Sequence, residues 1–531
     1  MDSMDRDVRP SREPATPTGA TADIVIGVDM GTTATKSVAF SSAGAELVSA
    51  SQGYPLDDPH PGHVVQDPQL ILQAVLQTIA EVSAQIDPDR LAGLSFSSAM
   101  HSLMALDTEL APITPVVTWA DTRAATQAER LRNSTAGLAL HRRTGTPIHP
   151  MSPLTKLIWF REQEHRICDQ AAFWVGIKDW VLFRLCGALV VDHSLASGSG
   201  LLDIGRLAWD PEALGLAGIR DDQLPELVPT TRILPGITQE AAELTGLPIG
   251  TRVVVGAGDG PLANLGVGAV RPGVAACSIG TSGALRVTVD KPAVDPRGGV
   301  FCYALTEDRW VIGGAINNGG VTLDWVREQI AEPDLDPGAL LDLAAEVPVG
   351  SGGLVMLPYL LSERAPHWSS VARGAWIGLT RAHERRHLIR SAVEGVCLQL
   401  ALVLQSMRAA GLAVNEIRAT GGVMRHRLWR QTLADALGSQ IGLLEGEQGS
   451  SFGAALLGME ALGMIGSIEL AADLMTVQTV VRPEPAAAAT LAGLLPIFDE
   501  LYDALLSTNL RLRRLAPALP LEYDGPAVGG R

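Results

Sequence analysis

Two carboxylates stand where phosphoryl chemistry can use them. Asp29 closes the apolar run Ile24–Asp29 and is followed by the turn Gly31-Thr32-Thr33. A carboxylate at such a strand end can hold magnesium, directly or through water, while the turn offers N–H groups and hydroxyls to phosphate oxygens. Lys36 lies a short way on and can add a positive charge. Asp259 sits in Gly256-Ala257-Gly258-Asp259-Gly260, where small neighbours let a substrate approach closely. A kinase acting on an alcohol needs such a group to orient the hydroxyl and take its proton as the γ-phosphoryl group moves. The plainer alternative is an Asp that only satisfies turn amides.

The turn Gly280-Thr281-Ser282-Gly283 repeats the chemistry of Gly31-Thr32-Thr33. Two such turns facing across a cleft make a nucleotide clamp. Thr420-Gly421-Gly422 follows a short strand and precedes a helix, and its bare backbone can accept an adenine face or a ribose, although tight strand–helix turns share this pattern.

The elements that must carry these residues are legible. Ile24–Asp29 and Lys36–Phe40 read as a β-hairpin. Residues 67–86 read as a helix, with Asp67 as N-cap, Pro68 in the first turn and Leu70, Ile71, Ala74, Val75, Ile79 and Val82 at helical spacing. Strand-like and helix-like segments then alternate, an α/β pattern. Arg252–Gly256 reads as the strand that opens a second half, with a second hairpin from Val274–Ile279 and Ala284–Val289. Two like hairpins, each opening a half of the chain, suggest a duplicated α/β domain. Residues 385–408 read as a long buried helix, apolar nearly all round. The expected organisation is a tail over 1–22, an N-terminal domain over 23–256, a C-terminal domain over 257–515 and a tail over 516–531.

Composition narrows the function further. The 531 residues are 47% hydrophobic and 19% charged, enough for sizeable cores and against general disorder. The net charge of −17 argues against nucleic-acid binding, which rests on basic stripes. No signal peptide or membrane span is visible, and the five cysteines (Cys168, Cys186, Cys277, Cys302, Cys397) are widely spaced without CxxC. A cytoplasmic protein with no structural zinc and no membrane partner is expected. No GxxxxGK[ST] or strand-linked GxGxxG occurs. Gly449-Ser450-Ser451-Phe452-Gly453 fits a GxSxG nucleophile elbow with Ser451 as nucleophile, but no His follows residue 426, which breaks the required chain order.

From about Ile24 to Gly466 the chain resembles the FGGY family of carbohydrate kinases. Met151-Ser-Pro-Leu-Thr-Lys156-Leu-Ile-Trp159 is one family pattern; Gly374-Ala-Trp-Ile-Gly378-Leu379, followed by His387-Leu388-Ile-Arg-Ser391-Ala392-Val393-Glu394, is another. The resemblance implies two duplicated ribonuclease H-like domains, of the actin and hexokinase type, around a central cleft. It implies ATP and magnesium as cofactors, with Asp29 and Asp259 at the metal and Asp259 as general base. Thr32, Thr33, Lys36, Gly280, Thr281, Gly320, Gly421 and Gly422 become the nucleotide contacts. Ala34 stands where the family often has a hydroxyl residue.

Within the family, Met100-His101-Ser-Leu-Met-Ala-Leu-Asp107, Trp119-Ala-Asp121-Thr-Arg123 and Thr144-Gly-Thr-Pro-Ile-His149-Pro-Met-Ser-Pro153 look most like the gluconate kinases. The Met-His pair argues against glycerol but is shared with xylulose kinases. Gluconate is an open-chain polyol with a carboxylate, and such an anion wants a cation or charge-assisted donor. Expected substrate contacts are Met100, His101, Trp119, Asp121, Arg123, His149, Lys156 and Arg364. The resemblance thus implies phosphorylation of the terminal hydroxyl of D-gluconate, with xylulose, ribulose or erythritol as alternative substrates. A silent sugar sensor is disfavoured because Asp29 and Asp259 are both present. The small-molecule partners would be a sugar acid and ATP, with a homodimer as one possible assembly.

Overall fold

Ile24, Val25, Ile26 and Val28 are all buried, as expected for a strand covered on both faces. The computed structural model describes residues 22–330, 336–444 and 449–515; apart from Ala22, the two expected tails lie outside the described residues. Strands Ile24–Met30 (β1) and Ala34–Ser41 (β2) form the expected antiparallel hairpin, which puts Asp29 directly opposite Lys36. Glu46–Gly53 (β3) continues the meander beside β2. Leu91–Ser98 (β4) and Val253–Gly258 (β5) add on parallel to β1, giving the order β3-β2-β1-β4-β5 with the short strand Ile233–Leu234 outside β5.

The second half repeats that order. Val274–Ile279 (β6), Gly283–Val289 (β7) and Trp310–Ile316 (β8) form an antiparallel meander, and Glu416–Thr420 (β9) and Ile441–Leu444 (β10) extend it in parallel from β6. The order β8-β7-β6-β9-β10 is flanked by Phe301–Ala304 and Val477–Val481. Both sheets therefore carry the same chain path.

One strand reading is corrected. The strand read as opening the second half closes the first sheet, parallel to β4. Val253-Val254-Val255 is apolar on both faces, so periodicity shows a central strand without showing which sheet receives it.

Five helices frame the site and its two sheets. Pro68–Ser83 (α1) starts at Asp67, whose side chain accepts from the Gln69 N–H, and buries Ile71, Val75, Ile79 and Val82. Pro153–Gln163 (α2) carries Lys156, and Asp259–Gly266 (α3) starts directly from β5. Arg385–Ala409 (α4) is long and apolar enough to cross a bilayer, but most of it is buried in the second core.

Ser450–Ala461 (α5) comes late in the chain yet packs on the first sheet. A Cβ on Gly27 of β1 would lie 2.0 Å from the Ser451 carbonyl oxygen, and one on Gly453 2.0 Å from that of Leu262 in α3. Glycine is needed at both contacts, because backbones approach where any side chain would stand. Ser451 is buried in this helix–sheet contact.

Candidate active site

The end of β1, the loop after β4, the start of α3 and the second hairpin all reach one cavity of about 270 Å³. Thr32 lines it from the first hairpin, Ser282 from the second and Asp259 from the start of α3. The two Gly-Thr turns thus open on a shared cleft.

Asp29 is held from two sides. Its Oδ1 accepts from Ser97 Oγ at 2.6 Å and its Oδ2 from Ser450 Oγ at 2.6 Å. Burial pushes this carboxyl up; the two hydroxyl donors and the Lys36 charge oppose that shift. Asp259 accepts from the Gly260 N–H at 2.7 Å. Burial, then the negative charge of Asp29, pushes it up to about 6, against the pull of Arg286. Two half-buried carboxylates, one of which raises the pKa of the other, offer the hard oxygen donors that magnesium takes, so their chemistry fits that ion. Among the described residues no group of three or more His, Cys, Asp or Glu gathers as a metal cage.

The expected nucleotide residues converge. Thr32 Oγ1 accepts from Trp119 Nε1 at 2.8 Å, and Thr33 and Lys36 are exposed beside it. The Gly280 carbonyl accepts from the Gly320 N–H at 2.7 Å, and the Thr281 carbonyl accepts from that of Gly319 at 3.0 Å. Gly421 has φ 106°, and a Cβ there would lie 2.1 Å from the Ile279 carbonyl oxygen. Gly422 has no heavy atom within 4 Å of where a Cβ would stand. An open glycine surface therefore lies against the second hairpin.

The sugar side divides the expected residues. Met100, His101, Trp119 and Arg364 line the cavity. His101 Nδ1 donates to the Gly198 carbonyl at 2.7 Å, and burial brings its pKa down to about 3. The ring is therefore neutral and its Nε2 is an acceptor for a hydroxyl. The Arg364 guanidinium lies 5.1 Å from the centre of the Trp119 ring. Buried Glu363 fixes that loop, accepting from the N–H groups of Asn317 and Arg364 and from Asn318 Nδ2.

The other four are placed elsewhere. Lys156 is fully buried, and its Nζ donates to the carbonyls of His101 and Thr118 at 2.7 Å. Burial brings it down to about 7, so it braces the Met100-His101 loop from behind instead of meeting an anion. Arg123 and Asp121 pair with each other at 2.8 Å, with side-chain exposures of 7% and 0%. Asp121 also accepts from the Val64 N–H and does not line the cavity. His149 is buried behind the wall, edge-on to Trp368 at 6.3 Å, with Nδ1 accepting from the Met151 N–H.

The cavity also holds residues the sequence did not reveal, above all Arg286, Tyr303 and Trp368. Arg286 sits inside a strand, where an isolated Arg reads as a solvent-facing position; no local signal marks it.

The comparisons agree with this geometry. The model of the FGGY carbohydrate kinase N-terminal domain matches residues 24–266, and that of the C-terminal domain matches residues 275–462. The chain belongs to the FGGY family of carbohydrate kinases. It is 41% identical to a gluconokinase of Bacillus subtilis over 491 residues, covering 91% of this chain and 96% of the relative. A xylulose kinase of the same species is 31% identical over 452 residues, covering 85% of this chain and 90% of the relative. The crystal structure of a gluconate kinase from Lactobacillus acidophilus superposes with a TM-score of 0.88 at 35% identity, covering 92% of this kinase and 99% of that chain. The protein is a sugar kinase, a phosphotransferase of the two-lobed α/β architecture, and kinases of this family use ATP as phosphoryl donor.

Proposed function

We propose that this kinase transfers the γ-phosphoryl group of ATP to the terminal hydroxyl of D-gluconate, giving 6-phospho-D-gluconate. The observation that carries the reading is Asp259, a half-buried carboxylate in a cavity that also presents Arg286 and Arg364. One acid suits an attacking alcohol, and two guanidinium groups suit an anionic substrate. The gluconokinase similarity supports the same choice.

In this reading Asp259 orients the 6-hydroxyl and takes its proton as the new O–P bond forms and the bond to the β,γ-bridging oxygen of ATP breaks. Neutral His101 accepts a polyol hydroxyl at Nε2. Main-chain N–H groups and hydroxyls of Thr32, Thr33, Gly280 and Thr281 hold phosphate oxygens with Lys36 beside them, and Gly320, Gly421 and Gly422 face the adenosine. Asp29 and Asp259 would hold magnesium, which supplies positive charge to the β- and γ-phosphate oxygens. Positioning and electrostatics account for most of the acceleration.

A second reading, a xylulose kinase, is favoured by the xylulose kinase similarity and by one superposition. A ligand-bound xylulose kinase from Lactobacillus acidophilus also superposes with a TM-score of 0.88, at 36% identity. ADP release over gluconate, xylulose, ribulose, glycerol and erythritol separates the two. The proposal requires the highest kcat/KM with gluconate, and a preference for xylulose rejects it. The same reading places the enzyme in the cytoplasm, without nucleic-acid or membrane partners, and light scattering tests the homodimer.

A further inference from the structure

Arg286 is the least explained charge in the cavity. It projects from β7 toward Gly260, at the foot of α3: a Cβ placed on Gly260 would lie 3.8 Å from its Nε and 4.0 Å from its Cζ. Burial lowers the pKa of this guanidinium, and Asp259 opposes the shift. Yet among the described residues its guanidinium enters no ion pair and donates no side-chain hydrogen bond.

A guanidinium that lines a cavity with its donors unused costs desolvation energy, and a ligand that accepts those hydrogen bonds offsets the cost.

A second unpartnered group lies on the same wall. Tyr303 is 3% exposed, and its hydroxyl has no hydrogen-bond partner. The sheet register explains why the two share a face. Arg286 pairs with Gly313, and Gly313 pairs with Phe301 on the neighbouring strand, so Arg286 and Phe301 point the same way, as does Tyr303 two residues on. Phe301 and Tyr303 stack with ring centroids 4.3 Å apart, and the Tyr303 ring meets His101 edge-on at 5.7 Å. Arg286 lies four residues down the strand from Ser282, roughly 13 Å along the backbone from the tip that faces phosphate.

We propose that Arg286, with the Tyr303 hydroxyl, is the receptor for the substrate carboxylate and the element that selects a sugar acid over a neutral sugar. This rests on the sugar-acid reading above and names the residues that carry it out. The guanidinium offers parallel N–H donors to the two carboxylate oxygens, and the phenol donates a further hydrogen bond to one of them. A neutral polyol leaves both groups unmatched, and the penalty for that mismatch is the discrimination. No bond is made or broken at this end.

The test compares gluconate with D-glucitol, which carries CH2OH in place of the carboxylate. Arg286→Met should raise the gluconate KM by about 100-fold, within the usual loss of a charge-assisted bidentate contact. The glucitol KM should fall or stay level, because the unmatched cation is gone, and the ATP KM should stay within about twofold. Tyr303→Phe should raise the gluconate KM by about tenfold, and Arg286→Lys should recover part of the loss. A thermal shift with ADP shows that each variant is folded. If Arg286→Met weakens both sugars equally, or raises the ATP KM with selectivity intact, the inference is overturned while gluconokinase activity stands. If the wild-type enzyme itself prefers glucitol, both the inference and the sugar-acid reading fall.

Discussion

Ser450 Oγ donates to Asp29 Oδ2 at 2.6 Å across 421 positions of sequence. The bond joins the first residue of α5 to the carboxylate at the end of β1, so a helix from the late part of the chain sets the posture of the first hairpin. Gly27 and Gly453 make this possible by letting α5 settle onto β1 and α3 at backbone contact.

Removing that hydroxyl should loosen Asp29 without emptying the sugar site. Ser450→Ala is expected to raise the KM for magnesium-ATP by about tenfold, the worth of one hydrogen bond to a charged group, with the sugar KM little changed. Steady-state kinetics with each substrate varied in turn checks this. A rise confined to the sugar KM would contradict the link.

The helix–sheet contact itself makes a stability prediction. Gly453→Ala places a methyl group 2.0 Å from the Leu262 carbonyl oxygen, which the two helices can accept only by separating. A loss of roughly 1–3 kcal/mol is expected from such overpacking, read as a lower chemical-denaturation midpoint. An unchanged midpoint would show that α3 and α5 do not meet this closely.

Lys156 gives a prediction of the opposite kind from the one its sequence context suggests. Lys156→Met should impair gluconate and a neutral polyol alike, because the side chain braces the carbonyls of His101 and Thr118 and does not line the cavity. Leaving these buried carbonyls without a donor should also destabilise the fold by about 3 kcal/mol. A selective rise in the gluconate KM would restore Lys156 as a carboxylate contact.

The pH dependence follows from Asp259. A general base works only when unprotonated, and burial with the Asp29 charge sets this carboxyl at about 6. The sugar kcat/KM should therefore rise with pH through about 6 and level above it. Raising magnesium should move this limb to lower pH, since an added positive charge favours the carboxylate. A limb that ignores magnesium would separate the titrating group from the metal site.

Much of this was legible because the motifs are local. Gly-Thr turns between apolar runs announce hairpins, and the second copy announces a duplication, which the matching strand orders bear out. Asp259 was visible because glycines clear the space around it. The rest depends on contacts that local sequence does not encode. Lys156 looked like a ligand on an apolar helix, but three-dimensional packing gave its amine to buried carbonyls. Arg123 reads as a substrate contact, but Asp121, two residues away, pairs with it. Arg286 looked like an ordinary strand residue because its neighbours in the cavity come from other strands, and Ser450 was masked by a serine-rich turn whose partner lies at the far end of the chain.

The most direct test of the whole account is gluconate-dependent turnover by Asp259→Asn, with ATP binding measured on the same preparation. The account predicts that kcat falls by roughly two or more decades while ATP affinity is retained. Turnover close to that of the wild-type enzyme would contradict it.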